Sequence, residues 1–147
     1  MTMKTMEFKI EIDASRERVW KTLWEDTTFR DWSGVIDEGT YMKGELKEGN
    51  KVEFISLVNG YGVTSLVEKL QPEEFVAFRH RADTIESGQQ TREKEWTGGV
   101  ESYHLADNNG KVILTVKTDV PKEQESLFNV RMPKALKRIK ALAEYHK

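Results

Sequence analysis

The sequence predicts an α+β domain in which a curved antiparallel sheet is closed by one long C-terminal helix. Three observations predict it. Apolar residues alternate with polar ones in several stretches separated by turn signals, the pattern of half-buried strands. The last segment instead places Phe128, Met132, Ala135, Leu136, Ile139, Leu142 and Ala143 at steps of three and four, the pattern of an amphipathic helix. Two short helical patterns stand between the first strand and the rest, so helices and strands are segregated along the chain.

The elements follow in order. In residues 6–12, Met6, Phe8, Ile10 and Ile12 point one way and Glu7, Lys9 and Glu11 the other, which makes a strand. Ser15 is placed to cap a helix, with Glu17 in its first turn where the helix dipole favours an acid. Val19, Trp20, Leu23 and Trp24 share one face of that helix. Thr27 or Thr28 is the expected cap of a second short helix carrying Phe29 and Trp32 and ending near Gly34. From Gly39 onward strands are expected. Residues 51–58 and 61–70 flank Asn59-Gly60, a pair that suits a type I′ hairpin turn. Gln71-Pro72 makes the next turn before a strand over 75–81, and the polar stretch 83–95 reads as a loop. Strands over 100–105 and 111–119 surround a second hairpin turn at Asp107-Asn108-Asn109-Gly110. Pro121 suits a helix start. Pro133, inside the last helix, removes a donor and crowds the Asn129 carbonyl, so a kink or break is expected between them.

The chain has 147 residues, with 23 basic and 25 acidic side chains and a 37% apolar share. That length suits a single domain over 1–147 with a real core. The charge balance lacks the basic excess of a nucleic-acid binder, and no segment is long and apolar enough to span a membrane. There is no cysteine, which excludes disulfides and thiolate chemistry and fits a reducing cytoplasm. The alternating, charged start from Met1 to Ile10 does not read as a secretory leader. His80, His104 and His146 have no metal-ligand spacing, so no metal is expected. Neither a phosphate-binding glycine loop nor any other cofactor motif appears; Gly98-Gly99 reads as a bulge or bend.

The segment Ile12-Asp13-Ala14-Ser15-Arg16-Glu17-Arg18-Val19-Trp20-Lys21-Thr22-Leu23, followed by Phe29 and Trp32, resembles the opening of START-like (SRPBCC) domains. Gly98-Gly99-Val100-Glu101-Ser102-Tyr103-His104-Leu105, Asn109-Gly110-Lys111-Val112-Ile113-Leu114-Thr115-Val116 and the ending Phe128-Asn129-Val130-Arg131-Met132-Pro133-Lys134-Ala135-Leu136 resemble one branch of them. That branch is related to the C-terminal domain of the ATPase activator of the ninety-kilodalton heat-shock chaperone. The resemblance covers nearly the whole chain. It implies a helix-grip fold with a cavity between sheet and C-terminal helix, in which relatives hold hydrophobic or aromatic small molecules. Some relatives are cyclases or hydrolases and others carriers. A chaperone partner is also implied. Met132 stands where many relatives have Trp.

The candidate ligand-binding residues are Trp32, Phe54, Phe78, His80, Trp96, Glu101, Tyr103, Phe128 and Met132. The aromatics either line a pocket or fill the core, since burial alone does not separate the two. If Phe78 points inward, period two sends His80 inward; if Tyr103 and Leu105 do, so does Glu101. A His and a Glu facing one cavity can form an acid–base pair. The plainer alternative is an inward Glu101 neutralised by Arg79, Arg81 or Arg131. The basic run Lys134, Lys137, Arg138 and Lys140 reads as the solvated face of the last helix. The function expected is binding of a small hydrophobic or aromatic molecule. The alternatives are a cyclase- or hydrolase-like enzyme using His80, Glu101 or Tyr103, and a chaperone-partner module.

Overall fold

The computed structural model describes residues 3–85 and 96–145. One antiparallel sheet of seven strands has the order β1-β7-β6-β5-β4-β3-β2. The strands are β1 (Met3–Ile12), β2 (Thr40–Lys43), β3 (Lys51–Ser56), β4 (Tyr61–Gln71), β5 (Phe75–Ile85), β6 (Val100–Asn108) and β7 (Lys111–Pro121). Helices α1 (Arg16–Trp24) and α2 (Asp26–Ser33) link β1 to β2, and α3 (Glu125–Tyr145) follows a 3₁₀ turn at Lys122–Gln124. The sheet curls into a half-barrel with α3 on its hollow side, the helix-grip arrangement expected.

Local chemistry explains the elements. Ser15 caps α1 as expected, its Oγ accepting from the Arg18 N–H at 3.1 Å. Thr27 and Thr28 do not cap α2: the helix starts directly from Glu25, and the Thr28 hydroxyl donates to the Glu25 and Lys21 carbonyls instead. Gly34 ends α2. Asn109 and Gly110 both have positive φ, 53° and 83°, so the β6–β7 link is a tight two-residue turn of the primed type. The Asn59-Gly60 hairpin differs from expectation. β3 ends at Ser56, and the connection runs from Leu57 to Gly60. Ser56 is the reason. Its buried hydroxyl donates to the Glu38 carbonyl at 2.6 Å and accepts from the Val58 and Asn59 N–H groups, which turns the chain early. The expected loop over 83–95 is shorter at its start: 83–85 continue β5 and pair with Tyr61–Val63 of β4. Its remainder, 86–95, lies outside the described residues, as does His146.

Two register shifts between β4 and β5 leave Arg81 of β5 and Glu68 of β4 as extra residues, bulges that increase twist and bend the sheet. Cross-strand charge pairs such as Arg79–Glu68, Lys117–Glu7 and Lys111–Glu11 occupy its outer face.

Helix α3 does two jobs along its length. Its C-terminal half fills the half-barrel, where Ala135, Ile139 and Ala143 are fully buried. Lys140 and Glu144 tie this half to the end of β1, through the Glu11 carbonyl at 3.1 Å and the Asp13 N–H at 2.8 Å. Arg138 grips Asp31 of α2 through two hydrogen bonds, 2.6 and 2.8 Å. The N-terminal half lies over an opening. The helix does not break at Pro133. Asn129 and Pro133 are both exposed, so the carbonyl that loses its partner is within reach of water. Pro133→Ala restores the donor. We expect it to raise stability by roughly 2 kcal/mol: about 3 regained in the helix, less up to about 1 for the freer unfolded chain. Urea titration of both proteins checks this, and a loss of stability would show that the proline sets the curvature of α3.

Candidate functional site

The opening is a pocket of about 370 Å³ between the N-terminal half of α3, helix α2 and the floor of β3 to β6. Each wall follows from an element already described. On α2, Phe29, Trp32 and Ser33 come round to one side by helical spacing, and Ile36 joins them from the turn that follows the helix. On the other side stand Gln124, from the 3₁₀ turn, and Leu127, Phe128, Arg131 and Met132, the stripe that begins α3. The sheet floor presents Phe54, Val63, His80, Glu101 and Tyr103. Gly62 also faces the space. A Cβ there would lie 1.9 Å from the Phe54 carbonyl oxygen, so this position holds no side chain and the floor stays low.

Of the nine expected site residues, Trp32, Phe54, His80, Trp96, Glu101, Tyr103, Phe128 and Met132 line this pocket. Phe78 does not. It is fully buried behind the wall, edge-on to Trp24 at 5.4 Å and to Phe54 at 5.1 Å. Period two correctly turns it inward, but the indole of Trp24 seals it into the core. Trp96 is aimed by the turn before β6. Gly98 takes φ 91°, the Gly99 N–H reaches the Trp96 carbonyl at 3.0 Å, and both glycines bond the His80 backbone. Trp96 then meets Phe128 at 5.5 Å and the edge of His80 at 6.2 Å.

Sequence reasoning missed Phe29, Ser33, Ile36, Gln124, Leu127 and Arg131. A signal existed. Residues 29, 32, 33 and 36 are linked among themselves by steps of three and four, and so are 124, 127, 128 and 131. Ser, Gln and Arg within those stripes read as solvated when taken singly.

The polar groups are few. His80 is buried, and its Nδ1 lies 2.7 Å from the Ser65 hydroxyl. Burial pushes its pKa down to about 4, against a smaller opposing pull from Asp119, so the imidazole is neutral near pH 7. Glu101 accepts a short hydrogen bond from the Tyr103 hydroxyl. Burial raises its pKa; the Tyr103 hydroxyl and, more weakly, that of Thr118 oppose the shift. Thr118 faces Glu101 across the β6–β7 pair, but its buried Oγ1 meets no full hydrogen-bond geometry. Burial, then the neighbouring Glu101, lifts Tyr103 well above the usual phenol range.

No hydrogen bond joins His80 to Glu101; each has its own partner. The arginines proposed to neutralise Glu101 are elsewhere. Arg79 pairs with Glu68 on the outer face, Arg81 is exposed, and Arg131 donates to the Ile36 carbonyl at 2.7 Å across the mouth. Among the described residues no His, Asp or Glu cluster is arranged to hold a metal, and no helix is long and apolar enough to cross a membrane.

The comparisons with known proteins agree with this geometry. The family described as Activator of Hsp90 ATPase homolog 1-like protein matches residues 13–144. The chain belongs to that family. Among solved structures, it is similar to the Aha1 dimer from Colwellia psychrerythraea, with a TM-score of 0.73, 19% identity and 97% of both chains covered. CalU16 from Micromonospora echinospora gives a TM-score of 0.63 at 16% identity, covering 95% of this chain and 73% of that one. DynU16, from the dynemicin biosynthetic locus, gives 0.70 at 12% identity, covering 97% of this chain and 48% of that one. No curated protein matches by sequence. At these identities the likeness to the solved structures is one of fold.

Proposed function

We propose that this protein binds a small hydrophobic or aromatic molecule in the pocket beneath the start of α3. The observation carrying this reading is that about 370 Å³ is left open inside a wall of aromatic rings. The chain had apolar volume at hand to fill it, since the other half of the same helix is packed with no exposure at Ile139 and Ala143. Ligand pockets are typically apolar with a few placed polar groups, and here Glu101, Tyr103 and His80 are those groups. Burial of an apolar guest contributes roughly 25 cal/mol per Å² removed from water before binding costs.

The test is native mass spectrometry of protein purified from its host, followed by a melting screen with aromatic and lipid probes. A bound mass that disappears on denaturation is expected. A ligand present at a hundredfold its Kd should stabilise by about 2.7 kcal/mol, a rise of roughly 5–10 °C. A flat melting temperature across the whole panel would remove the proposal.

A second reading, acid–base catalysis, is favoured by one feature: a carboxyl that holds its proton more strongly than usual and opens on the pocket. If it holds, replacing Glu101 by Gln abolishes turnover of a bound guest while leaving its binding. The chaperone-partner reading rests on the resemblance alone. The large apolar side chains exposed among the described residues, Leu57, Val58, Val130 and Tyr145, are in a turn and on α3 rather than gathered on the outer face of the sheet.

A further inference from the structure

We infer that the pocket takes an aromatic ligand bearing a protonated amine, held by the Glu101 carboxylate and the surrounding rings. The inference rests on the pocket being a binding site and adds the charge of its guest.

The argument begins with the charges that face the space. At the mouth stand one cation and one anion, Arg131 and Asp37. Both are already engaged, Arg131 with the Ile36 carbonyl at 2.7 Å and Asp37 with the Asn59 amide at 3.1 Å. The helix ends offset each other too. The C-terminus of α2, the negative end of its dipole, and the N-terminus of α3, the positive end, meet at the same rim. His80 is neutral near pH 7. Among the described residues, the sign of the interior is therefore set by the carboxyl on its floor.

Among the described residues that carboxyl has a donor but no counter-charge. Tyr103 donates to Oε2 of Glu101, and no cationic side chain among the described residues forms an ion pair with it. A buried carboxylate is costly unless paired. The protein alone meets this cost by favouring the protonated form. A guest ammonium meets it by ion pairing, with a charge-assisted hydrogen bond in a site partly shielded from water. The walls add a second attraction of the same sign. The faces of Trp, Tyr and Phe rings attract cations, and Trp32, Trp96, Phe29, Phe54, Tyr103 and Phe128 all border the space. An anionic guest meets repulsion from Glu101 once that group ionises, and a neutral one gains only the apolar contact and a single hydrogen bond.

Calorimetric titration with three probes of matched shape tests this: naphthalen-2-ylmethylamine, naphthalen-2-ylmethanol and 2-naphthoate. The expected order puts the amine about tenfold or more ahead of both others. In Glu101→Gln, which keeps the shape of the side chain, the amine should fall to the affinity of the alcohol while the alcohol is unchanged. In Asp37→Asn the amine preference should persist. If the alcohol or the naphthoate binds as tightly as the amine, the charge assignment is wrong and the binding function stands. If the amine preference survives in Glu101→Gln, Glu101 is not its source and the inference fails. If no probe binds, and no member of the wider panel does either, the binding function falls and takes this inference with it.

Discussion

Trp32→Ala is expected to lower stability by about 3–5 kcal/mol, a large share of the roughly 5–15 kcal/mol that holds a domain together. Three consequences of one side chain add up to this. The indole is 2% exposed, so nearly its whole surface leaves water on folding. Its ring is edge-on to Phe29 at 5.2 Å, to Tyr103 at 6.0 Å and to Trp24 at 6.3 Å, so its loss loosens α1, α2 and the sheet together. Its Nε1–H donates to the Leu23 carbonyl at 3.1 Å. That carbonyl belongs to the last turn of α1, where backbone acceptors have no partner within the helix. The tryptophan on one helix thus completes the end of the helix before it. The truncated side chain also leaves a void beside the pocket, where relaxation is poor. Thermal melting should show a fall of roughly 10–20 °C. Trp32→Phe separates the contributions, keeping most of the ring contact and removing only the donor, for a loss of about 1–3 kcal/mol. A drop of under about 1 kcal/mol in the alanine variant would mean that Trp32 is a pocket ornament rather than a strut between the three elements.

How much of this was legible follows from the range of each interaction. The strand alternation in β1, the Ser15 cap and the apolar stripe of α3 are all specified within a few neighbours, and each is found where the pattern places it; the second hairpin turn, expected over residues 107–110, tightens to Asn109 and Gly110 because β6 runs on to Asn108. The early end of β3 is not local. It depends on the Ser56 hydroxyl reaching the Glu38 carbonyl, eighteen positions back. The uncapped start of α2 is similar, because the Thr28 hydroxyl is drawn to carbonyls at the end of α1.

The site divides along the same line. Large apolar rings declare burial in the sequence, and of the six rings expected at the site all but Phe78 line the pocket. Whether a buried ring faces the space or the core depends on what packs over it. For Phe78 that is Trp24, from an element fifty-four residues earlier by its number. Gly62, Gln124 and Arg131 carry no burial signal at all. They reach the pocket because the bend of β4 and the docking of α3 bring them there. The pairing of Glu101 was open in the sequence between a basic partner and an acid–base role with His80. The strand faces keep Arg79 away from Glu101, turned outward to Glu68, and give the inward His80 a separate partner in Ser65.

The burial of His80 beside Ser65 is expected to make the protein sensitive to acid. Burial lowers its folded-state pKa from the ordinary 6.5 to about 4, while the Asp119 charge opposes the shift only weakly. Above pH 6.5 the imidazole is neutral in both states and contributes nothing to the pH dependence. Between about 6.5 and 4 the unfolded chain takes up a proton that the folded protein refuses, so stability falls as pH falls. Below about 4 both states are protonated and the loss levels off. The full difference is about 3 kcal/mol. Glu101 acts in the opposite direction. Its folded pKa is raised, so the folded protein holds that proton more tightly and gains stability as pH falls toward the ordinary carboxyl value. The two effects partly cancel in the intact protein and are separated by comparison. His80→Asn places an amide near Nδ1, within reach of Ser65, but cannot titrate. Its stability at pH 7 should be lower than that of the parent. The gap between the two proteins, measured by urea unfolding at steps from pH 7.5 to pH 4, should then close by about 3 kcal/mol as His80 ceases to be the better residue. A gap that stays constant across that range would mean that the folded protein lets His80 ionise freely. The imidazole would then have to be hydrated through the pocket rather than sealed against Ser65.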